Sequence, residues 1–148
     1  EWLNHCTPLP VEALSRETVL EPGKVWLAGR PEHIVIDHGL GLSWTQEWPE
    51  LVSRPSIDVL FKSLAKHPTL TGCGALLTGM GNDGAAGLLA LRKAGFHTIA
   101  QDEASSVVYG MPKAAAKLGA AISILPLDDI GEEIVSHVTR LGQRNPES

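Results

Sequence analysis

The feature that most constrains this chain is the alternation of strand and helix patterns from Cys73 onward. Residues 75–78 form a short, apolar run, which is typical of a strand buried on both faces. A glycine-rich turn and an Ala/Leu-rich helix follow, and Gly95 suits the position just after a helix end. Since strand, helix and strand in this order form right-handed parallel units, the pattern predicts an α/β fold. We expect a parallel, helix-covered sheet of the Rossmann-like, doubly wound kind.

The remaining segments predict the approximate positions of the other helices, strands and loops. Ser56 opens an amphipathic helix that His67-Pro68 ends, because the residue before a proline avoids the helical region. A capping box of Asp129 and Glu132 is expected to start the last helix. We predict further strands at 25–28, 33–36, 40–44, 97–100, 105–108 and 122–125 and a helix at 112–119, with 25–28 and 33–36 paired as a small antiparallel hairpin. We also expect an irregular start at 1–21, a loop at 46–54 and a frayed tail at 143–148, all within a single domain, 1–148.

The composition excludes several classes of protein. A net charge of −5 argues against a nucleic-acid-binding surface, which is usually basic. No apolar run is long enough to cross a bilayer, so membrane insertion is not expected. Cys6 and Cys73 stand far apart in sequence, which argues against a zinc site or a disulfide framework and favours the reducing cytoplasm.

The turn from Gly79 to Gly84 has the spacing G-x-G-x-x-G between a strand and a helix, which is also the fingerprint of dinucleotide-binding folds. Asp102 and Glu103 follow about 20 residues later, where such a fold binds the ribose. Asp83, however, would place a carboxylate beside the phosphates, and like charges repel in a partly desolvated site. A plainer interpretation of Asp83 is an N-cap of the helix that follows. These two points argue against NAD or FAD binding, which is kept as the alternative interpretation.

Three separated segments resemble the catalytic domain of the chemotaxis protein-glutamate methylesterases, the CheB type: residues 76–87, 100–105 and 107–112. The run 54–61 resembles it as well. The resemblance implies a serine hydrolase that demethylates methylated glutamates, and deamidates glutamines, on the cytoplasmic helices of bacterial chemoreceptors. It implies a Ser–His–Asp triad with Asp83 as the acid, and a backbone oxyanion donor at Met80. No metal or organic cofactor is implied.

The same resemblance places the triad serine and histidine upstream of the segment that matches Glu1. The sequence contains no G-x-S-x-G motif. We therefore expect an N-terminally truncated catalytic domain that lacks the first strands of the family fold and is inactive by itself. We read His67 and His137 as solvated surface residues and the serines near 53–56 and 105–106 as caps or turns, so that no alternative triad is expected.

Further expectations follow from the truncation. The absent strands would leave an exposed sheet edge, which predicts self-association. The resemblance also implies a receiver or methyltransferase domain on the parent chain. The run 51–56 departs from the Asn-x-His-Arg-Pro-Ser pattern of many relatives, and if this run lines the site we expect substrate binding to differ from theirs. A non-catalytic regulatory module of the same fold stays open as a third interpretation.

Overall fold

The structure, a computed structural model, describes residues 2–144. After a short 3₁₀ helix at Trp2–His5, its strands are β1 (Val11–Ala13), β2 (Thr18–Val19), β3 (Val25–Leu27), β4 (His33–Ile36), β5 (Gly41–Thr45), β6 (Cys73–Leu76), β7 (His97–Gln101) and β8 (Ser123–Leu125). Its helices are α1 (Ile57–Ala65), α2 (Ala85–Lys93), α3 (Met111–Lys117) and α4 (Leu127–Arg144). Within the described residues, no helix is long and apolar enough to cross a membrane.

The second half of the chain forms the predicted parallel sheet. Its strands lie in the order β6-β7-β8, and each adjacent pair is parallel, as the strand–helix alternation requires. All five residues of β7 are buried, because β7 is the central strand and helices α2, α3 and α4 contact it. Among residues 2–144, β6 pairs with no strand on its other edge.

The first half pairs differently from the prediction. The expected hairpin of 25–28 with 33–36 is wrong, since β3 pairs in parallel with β1, with Val11 opposite Val25. The actual hairpin is β4 with β5. The Asp37 side chain closes its turn by accepting hydrogen bonds from the amides of Gly39 and Gly41, at 2.7 and 2.8 Å. The segment 1–21, expected to be irregular, contains β1 and β2, strands too short to show a periodic pattern.

Several helix boundaries follow the sequence signals. Ser56 is the N-cap of α1, and Gly95 and Gly119 take left-handed φ angles of +94° and +65° after α2 and α3. The predicted capping box is wrong, because α4 already begins at Leu127, which leaves Asp129 inside the first turn. The Leu127 amide, one of the first amides of α4, donates to Ser105 Oγ at 3.0 Å.

Two other local predictions have different outcomes. The predicted strand at 105–108 is absent. The residue just after it, Tyr109, forms an isolated parallel bridge with Gly79. Of the predicted frayed tail, 143–144 belong to α4, whereas 145–148 lie outside the described residues.

Helix α1 joins the two halves of the fold. One buried apolar cluster lies between the parallel sheet and its helices, and a second lies on the β2-β5-β4 sheet. Leu64 of α1 and Leu70 just beyond it pack against both clusters. Because each buried CH₂ group contributes about 0.8 kcal/mol, these partly buried leucines stabilise the packing of α1 across the junction. The N-terminus of α1 is thereby placed beside the carboxyl end of β6.

Candidate active site

The glycine-rich turn connects the carboxyl end of β6 to α2 and is held from one side by the loop before α3. The Gly79 amide donates to Val108 O at 3.0 Å, and the Met111 amide donates to Gly79 O at 2.8 Å. A Cβ on Gly110 would lie 2.5 Å from Gly79 O, so only glycine permits this approach. Met80 lies at the tip of the turn, and the residue is 85% exposed. The carboxyl edge of a parallel sheet is the usual site of chemistry in such folds.

Asp83 lies at the end of the turn, and its carboxylate faces the N-terminus of α1. Oδ2 accepts a hydrogen bond from the Ile57 amide at 2.7 Å. Oδ1 accepts from the Asp58 amide at 3.2 Å and from the Ser56 hydroxyl at 2.8 Å. The first amides of a helix lack intrahelical partners and carry its positive dipole end, so they stabilise a carboxylate there.

A second carboxylate makes the reverse contact between the same two helices. Asp58 Oδ1, in the first turn of α1, accepts a hydrogen bond of 2.6 Å from the Gly87 amide in the first turn of α2. A Cβ on Gly87 would lie 2.7 Å from Phe61 Cβ and 3.0 Å from Asp58 Oδ1. The two helices therefore approach closely. The N-terminus of α1 binds Asp83, which directly precedes the N-cap of α2, and the N-terminus of α2 binds Asp58 of α1.

This geometry corrects the expected capping role of Asp83. The N-cap of α2 is Gly84, with φ of +91°, and no side chain caps the helix from that position. Asp83 instead accepts hydrogen bonds from the Ile57 and Asp58 amides at the N-terminus of α1. The sequence indicated Ser56 as a cap, but the contact of Asp58 with a distant amide was missed. The only signal for it was an acidic residue in the first turn of a predicted helix.

His33 lies behind this junction and is 2% exposed. Its Nδ1 accepts a hydrogen bond of 2.9 Å from the Ser56 amide, and its Nε2 lies 3.4 Å from Trp48 O. A serine, a histidine and an aspartate thus meet, but not as a nucleophile relay. The Ser56 hydroxyl donates to Asp83, and the imidazole contacts the backbone amide of Ser56 rather than its hydroxyl.

Four other histidines, His38, His67, His97 and His137, contact residues other than Asp83. His67, expected at the surface, is 9% exposed, and its ring accepts from the Leu70 amide at 3.1 Å and contacts His38 O at 3.2 Å. His97 pairs with Glu133 at 2.9 Å and stacks on His137 at 4.7 Å between ring centroids. The expectation of a solvated His67 is wrong, because the chain reversal after α1 folds around its ring.

The dinucleotide alternative has no matching geometry at this turn. The Gly87 amide, in the first turn of α2, already binds Asp58. Asp102, expected near a ribose, accepts hydrogen bonds from the amide and hydroxyl of Ser105 at 2.9 and 2.6 Å. Both bonds lower the pKa of the Asp102 carboxyl. Among the described residues, no group of three or more His, Cys, Asp and Glu side chains could hold a metal ion.

A surface cavity of about 610 Å³ lies beside Asp83, between α1 and the loop after β5. Trp48, Leu51 and Val59 supply apolar walls, and Lys62 and Lys66 line it one helical turn apart. The departure of residues 51–56 from the pattern of many relatives falls in this wall. The cavity thus joins a carboxylate to an apolar surface bordered by cations.

Comparison with known proteins gives a consistent result. The family model described as CheB methylesterase matches residues 1–134. A Burkholderia lata protein named protein-glutamate methylesterase/protein-glutamine glutaminase 2 is 49% identical over 95% of this chain and 41% of its own length. A Bordetella avium protein named protein-glutamate methylesterase/protein-glutamine glutaminase 1 is 53% identical over 90% of this chain and 39% of its own.

A solved structure agrees with the sequence relatives. The Thermotoga maritima CheB methylesterase catalytic domain superposes with a TM-score of 0.71 at 26% identity, covering 91% of this chain and 73% of that one. The α/β fold inferred from sequence is thereby confirmed. The chain spans about two fifths of the length of the curated relatives it matches.

Proposed function

Because this chain belongs to the CheB methylesterase family, we propose that its full-length protein is a protein-glutamate methylesterase and protein-glutamine deamidase. Its substrates would be methylated glutamates and glutamines on the cytoplasmic helices of bacterial chemoreceptors, and its setting the cytoplasm. The reaction class is ester and amide hydrolysis through an acyl-enzyme. A receiver or methyltransferase domain on the same protein belongs to this proposal.

The observation that carries the proposal is the fixed carboxylate of Asp83 at the carboxyl edge of the sheet. Three donors hold its two oxygens, and Oδ2 receives only one of them, from the Ile57 amide. A carboxylate oxygen has two lone-pair sites, so Oδ2 retains acceptor capacity for an imidazole N–H. Asp83 would bind that N–H, keep the histidine in the tautomer that accepts the serine proton, and stabilise the imidazolium.

The nucleophile and base are proposed to come from outside these 148 residues. Within residues 2–144, the one histidine beside this junction, His33, is occupied with the Ser56 amide, and the Ser56 hydroxyl donates to Asp83. Met80, at the exposed tip of the turn, would supply a backbone N–H to the oxyanion that forms during attack. The free edge of β6 is where further strands of the sheet would pair.

Methanol release from methylated receptor tests the proposal. The full-length protein is expected to release methanol, whereas the 148-residue chain alone and the full-length Asp83→Ala variant are not. Loss of the triad acid should lower kcat by about 10⁴-fold. Activity of the short chain would refute the assignment of the nucleophile, and full activity of Asp83→Ala would refute that of the acid. A stable protein without any esterase activity would favour the regulatory-module interpretation.

A further inference from the structure

We propose that Ser56 and His33 are positioning residues for Asp83, acting through the N-terminus of α1. The inference rests on the proposed role of Asp83 as triad acid and adds the groups that set where its carboxylate lies. Neither side chain touches the reacting atoms in this scheme. Together they hold three donors against Asp83, namely one hydroxyl and two backbone amides.

Ser56 makes the direct contact. It is 4% exposed, its hydroxyl donates to Asp83 Oδ1 at 2.8 Å, and its Oγ lies 3.4 Å from the Val59 amide that it caps. One oxygen atom therefore ties the carboxylate to the first turn of the helix. This arrangement leaves Oδ2 with a single backbone donor, so that one of its lone-pair sites stays open to a further donor.

His33 fixes Ser56 from behind. Because Nδ1 accepts the Ser56 amide, the neutral ring carries its proton on Nε2, which faces Trp48 O. The ring is buried, so its acceptor atom cannot shift without leaving the Ser56 amide unpaired, which is costly. The position of β4 is thereby transmitted to the Ser56 backbone, to its hydroxyl, and from there to Asp83.

The same helix offers a matched control. Ser63 also ties α1 to β4, since its hydroxyl accepts the Ile36 amide at 3.1 Å and donates to Leu60 O at 2.8 Å. Within residues 2–144, Ser63 forms no hydrogen bond with Asp83. Ser63→Ala therefore removes a comparable link between the same two elements without reaching the carboxylate.

The experiment measures kcat, KM and Tm in the full-length protein for Ser56→Ala, His33→Leu and Ser63→Ala. The rescuing variants are Ser56→Thr, which keeps the hydroxyl, and His33→Asn, whose carbonyl oxygen can take the place of Nδ1. We expect Ser56→Ala to lower kcat about tenfold, with KM within about twofold, because the charged carboxylate of Asp83 loses a hydrogen bond. His33→Leu should have an effect of about the same size, because it releases the Ser56 amide and with it the backbone that positions the Ser56 hydroxyl. Ser56→Thr and His33→Asn should recover most of kcat. Ser63→Ala should lower Tm and leave kcat unchanged.

Two results would overturn the inference while leaving the proposed function intact. One is an inactive Asp83→Ala beside wild-type kcat in Ser56→Ala and His33→Leu. The other is a fall in kcat that merely follows Tm, with Ser63→Ala equally affected and no recovery in the rescuing variants. An active Asp83→Ala would instead refute the proposed function, and the positioning roles with it.

Discussion

Replacing Gly84 by alanine should destabilise the protein more than the same change at Gly95. Both glycines have left-handed backbones, with φ of +91° and +94°, so each alanine costs about 1–2 kcal/mol of backbone strain. At Gly84 the new Cβ would also lie 2.6 Å from Leu76 Cδ1 and 3.0 Å from Ile57 Cγ2. Overpacking of this kind adds about 1–3 kcal/mol. At Gly95 nothing lies within 4 Å.

The difference between the two variants isolates the packing cost, because the backbone cost is shared. We expect a free energy of unfolding about 1–3 kcal/mol lower for Gly84→Ala than for Gly95→Ala. Urea denaturation of the full-length protein, followed by tryptophan fluorescence and compared at equal m, gives that difference. Gly84→Ala should also lower methylesterase activity, since relief of the clash displaces Ile57, whose amide binds Asp83. Equal destabilisation by the two variants would refute the close approach of α1 to this turn.

Three further changes test other parts of the structure. Asp58→Ala should lower the free energy of unfolding by about 1–3 kcal/mol in urea denaturation, because the Gly87 amide loses its acceptor, whereas Asp58→Asn should cost about half as much. Thr98→Val should cost about 1–3 kcal/mol, since the fully buried hydroxyl donates to Ala120 O at 2.6 Å; unchanged stability would contradict that bond. The pKa of Asp102 is lower in the folded protein than in the unfolded chain. Its carboxylate should therefore stabilise the fold at pH values above the ordinary aspartate pKa, and this stabilisation should be lost as the pH falls through the lower pKa of the folded state. Carbon-detected NMR titration should show the Asp102 carboxyl moving back toward its usual pKa in Ser105→Ala, and no movement would refute the assigned cause.

The sequence predicted the parallel half of the fold well because its signals are local. The apolar strand before the turn, the helix ends at Gly95 and Gly119 and the N-cap at Ser56 each depend on neighbours a few residues away. The prediction for the first half was wrong where a strand pairs with one that is not its neighbour in the sequence. Strand β3 pairs with β1, so that each residue lies opposite one 14 positions earlier in the sequence, and neither strand exceeds three residues. No pattern in such short strands distinguishes one partner from another.

The candidate site was predictable only as a set of residue types. The turn and Asp83 could be located, but the hydrogen bonds of Asp83 join residues 25 to 27 positions apart. His33 is separated from Ser56 by 23 positions, and nothing in its strand context marks it as a partner. Such contacts depend on how α1 crosses the junction between the two halves. A helix-cap prediction considers only residues beside the helix, so it assigned Asp83 to the wrong helix.

The glycine spacing has a physical meaning here that the dinucleotide interpretation shares in part. In both cases glycines let a helix N-terminus come close to an anion that its amides bind. In a dinucleotide fold the anion is a pyrophosphate, whereas here the carboxylate of Asp58 binds the Gly87 amide of α2. Gly84 and Gly87 leave room for α1 rather than for a ligand, since a Cβ at either would meet Ile57 or Phe61. In this fold the anion at the N-terminus of α2 is a side chain, and Gly84, the last glycine of the motif, leaves room for the helix that carries it.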